Sequence, residues 1–262
     1  MPEPTGSGPA PDTFACWRCG KSVDRLALSC PHCRAPRRGL GKRFRATPAG
    51  PGPLGQMIAL FGVLLAVSVL YGVATSFGAG DASGTTPSQR LGWTLGVELI
   101  DTIVVAAALL VVRRPAVLSG ERVRPLGAVW VCAGLALAAT LGANAAYHSV
   151  LRGLLGVTRQ GDPLLAAGGP LVLVLYCLQP AVVEELFFRY VALDSLRGVM
   201  GLHAAVGVSS LMFGLAHVGV PLSIPMLALV GVPLAYARVA SGGLALPMLF
   251  HFLHNWIVLL RS

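Results

Sequence analysis

The chain has 262 residues, 55% of them hydrophobic and 12% charged, with a mean hydropathy of +0.71. Ordinary globular proteins carry about 25% charged residues, and half that supply cannot coat a water-facing surface of this size, which excludes disorder, a coiled coil and an ordinary soluble enzyme. The formal charge of +9 is unevenly placed: residues 1–53 hold nine of the 20 basic residues against three acids, and residues 54–262 hold eleven against eight. A basic excess beside the first apolar run is a topogenic, lipid-facing feature, and no nucleic-acid partner is expected.

In chain order, residues 1–35 are expected to form a small water-exposed head. Cys16 and Cys19, then Cys30 and Cys33, make two CxxC pairs separated by ten residues, a spacing that resembles a zinc ribbon. Two tight turns would each present a pair of thiolates to a structural Zn²⁺. About 30 residues bury little core, so the metal would supply the folding free energy. Two disulfides or free thiols are the other reading. His32, between two of the cysteines, is expected to be a bystander. Residues 36–53 read as a basic, Pro/Gly-rich linker, and no cleavable signal peptide is expected within residues 1–53.

Residues 54–262 read as a transmembrane helical domain. Seven apolar runs, 54–77, 91–112, 126–148, 170–193, 202–219, 222–239 and 244–260, are candidates to cross a hydrocarbon core of about 30 Å. The fold class expected is therefore an all-α polytopic bundle of about seven transmembrane helices with an N-terminal zinc-ribbon module. The basic residues of the head, Arg113, Arg114, Arg122 and Arg124, and then Arg197 and Arg238 fall on one side, which is expected to be the cytoplasm. Arg90, Arg152 and Arg159 fall on the other, partly offset by Asp81 and Asp162. The expected setting is the plasma membrane of a bacterial cell, with the N-terminus inside.

Ionisable side chains deep in a membrane cost a few kcal/mol, so each one in an apolar run is a functional candidate. They cluster in three runs. The fourth carries Glu184-Glu185-Leu-Phe-Phe-Arg189, the fifth Phe213-Gly-Leu-Ala-His217, and the seventh His251-Phe-Leu-His254-Asn255. Residues four apart share a helix face, which pairs Glu185 with Arg189, Phe213 with His217 and His251 with Asn255. Glu185, one turn before Arg189, is expected to form a structural ion pair and to leave Glu184 as the freer carboxylate.

These EExxxR, FxxxH and HxxxN motifs resemble those of the CPBP intramembrane proteases, the group that includes CAAX prenyl endopeptidases of the Rce1 type and bacterial homologues once described as abortive-infection proteins. The resemblance covers about residues 170–260, the expected catalytic core. It implies an intramembrane endopeptidase in which Glu184 is the catalytic carboxylate, Glu185 its supporting neighbour and Arg189 the end of the first motif. His217 would assist at the reacting centre, and His251 and Asn255 would stabilise the oxyanion. The chemistry of the residues leads close to the same place. A carboxylate inside a dry bundle is a stronger base toward water than one in solvent, and imidazole and carboxamide donors can hold a developing oxyanion. No catalytic metal is expected, and no HExxH is present.

The partners this implies are the lipid bilayer, a peptide or lipid-modified peptide substrate, and a possible protein partner for the ribbon. Three other readings stand beside it: a metal-dependent membrane protease, a non-catalytic scaffold or immunity-type protein of the same fold, and a transporter with a proton relay. Glu98 and Asp101, three apart in the second run, could line a substrate cleft or bond to another helix, and the structural role is the expectation. His148 and His203 are expected at the interface, His254 as a packing or hydrogen-bonding residue, and Cys132 and Cys177 as small core residues. Pro180 should open the fourth helix near the site. Continuous helices would separate Glu184 and His217 by about 10 Å in depth, unless the fifth helix is broken.

Overall fold

The computed structural model describes residues 13–16, 19–24, 30–33, 52–78, 86–112, 126–156 and 169–261. Most of the expected linker, Arg113, Arg114, Arg122, Arg124, Arg159, Asp81 and Asp162 lie outside the described residues. In the head, β1 (Thr13–Ala15) pairs antiparallel with β2 (Ser22–Asp24), with Phe14 opposite Val23. Gly20, at φ 71°, takes the left-handed turn between them, where a Cβ would be strained.

The rest of the described chain is helical. Its seven helices are α1 (Pro53–Gly78), α2 (Pro87–Val111), α3 (Leu126–Leu155), α4 (Pro170–Arg197), α5 (Leu202–Leu215), α6 (Ile224–Ser241) and α7 (Ala245–Leu260). A 3₁₀ turn, Pro221–Ser223, leads into α6. Helix α2 begins before the apolar run because Thr86 and Gln89 cap it reciprocally: Gln89 N–H donates to Thr86 Oγ1 at 3.2 Å and Thr86 N–H to Gln89 Oε1 at 2.9 Å. Such a box satisfies two N–H groups that a helix start leaves orphaned.

Five of the helices, α1, α2, α3, α4 and α6, are long and apolar enough to cross a membrane, and the chain is an integral membrane protein. Of the seven expected spans, α5 and α7 are the shorter apolar helices, with 14 and 16 residues. At 1.5 Å per residue they reach about 21 and 24 Å, short of a core of about 30 Å. Helix α5 ends at Leu215, and residues 216–219 turn instead of continuing it.

Two apolar clusters organise the bundle. The first joins Met57 and Leu64 of α1, Val104, Val105 and Ala108 of α2, Phe187, Phe188 and Val191 of α4, and Val206 and Phe213 of α5. The second joins Met226, Val230 and Leu234 of α6 to Phe250 of α7, with Leu137 and Tyr147 of α3 packed against it. Large apolar side chains left exposed, among them Leu70, Leu99, Ile103, Leu110, Leu135 and Leu154, face where lipid tails would lie. Cys132 is among the exposed residues of α3 and not in a core, contrary to expectation, whereas Cys177 is buried.

Helix α4 is not regular. Val174–Leu178 and Leu186–Ala192 are π-helical, flanking Gln179–Glu185. Proline explains the first widening: in an α-helix the carbonyl of Tyr176 receives the N–H of residue 180, and residue 180 is a proline with none to give. Helix α5 lies very close to α6, since a Cβ on Gly231 would meet Ser210 Cα at 2.9 Å and one on Gly214 would meet Ile224 O at 2.7 Å. Arg238 also departs from the sequence reading. It is a buried residue in the last turn of α6, ion-paired through Nη2 to Asp194 Oδ2 of α4 at 3.4 Å, and not a loop charge.

Candidate active site

Helix α4 brings the two glutamates to the centre of the bundle, pointing in different directions. Glu185 is fully buried and its Oε2 lies 3.0 Å from Nε of the equally buried Arg189. This is the i, i+4 pair that the sequence predicts. The Arg189 guanidinium stacks over the Phe213 ring at 4.8 Å from its centroid, while Nη1 and Nη2 have no hydrogen-bond partner among the described residues. Glu185 Oε1 holds Nδ1 of His251 at 3.1 Å. Both oxygens of Glu185 are therefore occupied by cationic or donor groups.

Glu184 is the accessible member, its side chain 24% exposed. Its Oε1 lies 3.6 Å from Nε2 of His217, and its Oε2 lies 3.8 Å from Nε2 of His251. Because α5 ends at Leu215, His217 sits on the following turn and meets Glu184, so the expected depth mismatch does not arise. The His217 ring is oriented from behind: Nδ1 lies 2.8 Å from Phe213 O. A carbonyl oxygen can only accept, so Nδ1 carries the proton and Nε2 faces the carboxylate. The Phe213 ring packs against both imidazoles, with centroids 5.2 Å from His217 and 5.6 Å from His251, and this explains why an aromatic stands one turn before His217.

Asn255 also makes contacts within the bundle. Its Nδ2 donates to Tyr176 O at 3.2 Å, the carbonyl that stands four residues before Pro180. Its Oδ1 lies 3.4 Å from Nδ1 of His254, whose ring is buried. Asn255 thus ties α7 to the π-helical part of α4, and one amide N–H remains. His254 is a hydrogen-bonding residue as expected.

Helix α2 supplies a fourth wall that the sequence reading ranked second. Glu98 and Asp101 are half-buried and lie close enough to Glu184 and His217 to interact with them electrostatically. Gln179 of α4 fastens α2 in place, its Nε2 donating to Glu98 O and to Thr102 Oγ1, both at 3.1 Å. The i, i+3 spacing of two acids in an apolar run was the available signal. The buried pair Asp194–Arg238 was missed, because both residues sit at run ends where charge is ordinary. His203 is bonded through Nδ1 to Tyr236 OH at 2.7 Å, away from the cluster just described.

In the head, the Sγ atoms of Cys16, Cys19, Cys30 and Cys33 all lie within 4.8 Å of one another. None of the four is joined in a disulfide in this structure. The separations Cys16–Cys33 and Cys19–Cys30 are both 3.6 Å. Zn–S bonds of about 2.3 Å in a tetrahedron put sulfurs about 3.8 Å apart, so the set fits a metal ion such as zinc. Two backbone bonds shape the first knuckle, Cys16 N–H to Lys21 O and Gly20 N–H to Cys16 O, each 2.8 Å. Among the described residues this is the one group of three or more such ligand atoms within that distance.

Residues 166–257 match a family model described as Type II CAAX prenyl endopeptidase Rce1-like. The match spans α4 to most of α7, with every residue of the Glu184, His217 and His251 cluster, and stops short of α1–α3 and the cysteine head. No curated protein and no solved structure matches the chain.

Proposed function

We propose, from the match of residues 166–257 to the Rce1-like type II CAAX prenyl endopeptidase model, that the chain is a hydrolase that cleaves peptide bonds of membrane-associated substrates with a water activated by Glu184. The observation that carries this reading is the division of labour between adjacent acids. Glu185 is buried and committed to Arg189 and His251, whereas Glu184 is accessible and flanked by two imidazole nitrogens.

In the proposed step, Glu184 takes a proton from water, and the hydroxide adds to the scissile carbonyl carbon. His217, fixed by Phe213 O, shares a proton with Glu184 and holds its carboxylate toward the water. The oxyanion is met by the His251 ring and by the remaining N–H of Asn255. The C–N bond then breaks as Glu184 returns the proton to the departing amine. A preorganised, largely apolar bundle strengthens each of these interactions.

The cysteine head holds a structural Zn²⁺ that stabilises its fold, and it docks a protein partner or orients a substrate. The protein lies in a bacterial plasma membrane with the head in the cytoplasm. Substrates are peptides, with or without a lipid modification, that present a cleavable bond at the bilayer.

Comparative membrane proteomics of wild-type cells and cells carrying Glu184→Gln tests the proposal. New C-terminal fragments in the wild type that vanish in the variant are expected. If peptide termini are identical in the two membranes while both proteins accumulate equally, the reading fails.

A further inference from the structure

His217 is the one member of the cluster that no helix carries: it stands on the turn of residues 216–219 between α5 and the 3₁₀ turn. Its own backbone bonds, His217 N–H to Gly214 O at 3.0 Å and Val220 N–H to His217 O at 2.9 Å, tie it only to its neighbours in sequence. The turn needs an outside support, and α1 touches it at Gly219. A Cβ on Gly72 would lie 2.8 Å from Gly219 Cα, and one on Gly219 would lie 3.3 Å from Ser68 O. Ser68 Oγ also faces Gly219 N–H, at 3.5 Å.

We infer that α1, through Ser68 and Gly72, is a positioning brace for His217: its close backbone contact with Gly219 sets the height of the turn and hence the approach of His217 Nε2 to Glu184. This rests on the proposed function and extends it to a helix outside the family-matched segment. The contact is backbone against backbone, so it cannot yield by a side-chain rotation. A methyl group on Gly72 requires the turn to move by about half an ångström to reach ordinary contact. Misplacement of a reacting group by about 1 Å can cost a hundredfold in rate, so a fall of about tenfold is expected here. His217 itself keeps its bond to Phe213 O, and the polar side chains of α2, α4 and α7 around Glu184 are untouched. The loss should therefore appear in kcat and leave KM unchanged.

The test uses the full chain in proteoliposomes and a peptide spanning a cleavage junction found by the proteomic comparison. Four variants are compared with the wild type: Gly72→Ala, Gly219→Ala, Gly62→Ala and Glu184→Gln. Gly62 is on the same helix with open space around its Cβ position, and its variant is expected to keep wild-type kcat and melting temperature. Gly72→Ala should lose about tenfold in kcat at constant KM, and Gly219→Ala, with its milder contact, about threefold. Wild-type kcat in Gly72→Ala beside an inactive Glu184→Gln would overturn the brace and leave the proposed function standing. A rise in KM alone would overturn it too. If Gly72→Ala does not fold, Gly219→Ala decides: a threefold fall supports the brace and wild-type kcat refutes it. Full turnover by Glu184→Gln would instead bring down the glutamate mechanism, and this inference with it.

Discussion

Two adjacent carboxylates meet opposite fates because a helix turns by about 100° per residue. Glu185 faces Arg189 and His251 in a fully buried pocket, and Glu184 faces the accessible space between His217 and His251. Their isosteric amides should separate cleanly. Glu184→Gln should lower cleavage by about 10²- to 10⁴-fold, the usual worth of a positioned base, with an unchanged melting temperature in detergent. Glu185→Gln strands a buried guanidinium, a change that costs about 3–5 kcal/mol, and should lower the melting temperature first and activity only with it. At Asp101, whose charge reaches Glu184 and His217, Asp101→Asn should alter kcat several-fold while the melting temperature holds, as single-turnover kinetics would show. The pairing of Glu185 with Arg189 was legible in the sequence because i, i+4 spacing is local. The contact of His251 with both glutamates was not, since it depends on how α7 docks on α4.

Among the elements, α4 shows how a missing N–H becomes a tertiary contact. Pro180 has no N–H to offer Tyr176 O, the helix widens, and Asn255 of α7 donates to that carbonyl. Hydrogen bonds between membrane helices are worth about 0.6 kcal/mol on average and up to about 1.7, and this one also sets where α7 stands. Asn255→Ala should therefore cost about 1 kcal/mol or less in stability and more in activity. Pro180→Ala restores a donor to Tyr176 O, so the stability loss on Asn255→Ala should shrink in that background, a coupling a double-mutant cycle in chemical denaturant would read. Pro180 was legible as a break in α4. Its consequence was not, because the group that answers a freed carbonyl is chosen by packing. The early stop of α5 was hidden for a related reason: residues 216–220 are as apolar as the helix before them, and hydropathy does not report where hydrogen bonding turns a chain.

At the scale of the whole molecule, the positive charge has two uses. Nine basic residues precede Gly52, while Arg189 and Arg238 are buried partners of Glu185 and Asp194. Counting every arginine as a topological marker therefore overcounts, and Arg238 is the example. The cysteine set makes a separate prediction. Purified full-length protein should contain about one zinc per chain by elemental analysis, and Cys16→Ser with Cys19→Ser should abolish that binding. Under the proposed mechanism, cleavage by that variant should persist in the presence of a chelator. Loss of cleavage that added zinc restores would place a metal in the reaction.

The shortness of α5 and α7 has a consequence for the lipid around them. Helices of 14 and 16 residues are shorter than a hydrocarbon core of about 30 Å, and a thinned bilayer beside them would relieve that mismatch. The dimple this creates would bring the aqueous phase toward the turn that carries His217, so that the reactant water arrives without a long passage through hydrocarbon. Acyl-chain length then becomes a control on rate. Reconstituted into vesicles of 14-carbon lipids, the protein should turn over faster than in 22-carbon lipids, where restoring a thick bilayer would close the water's approach.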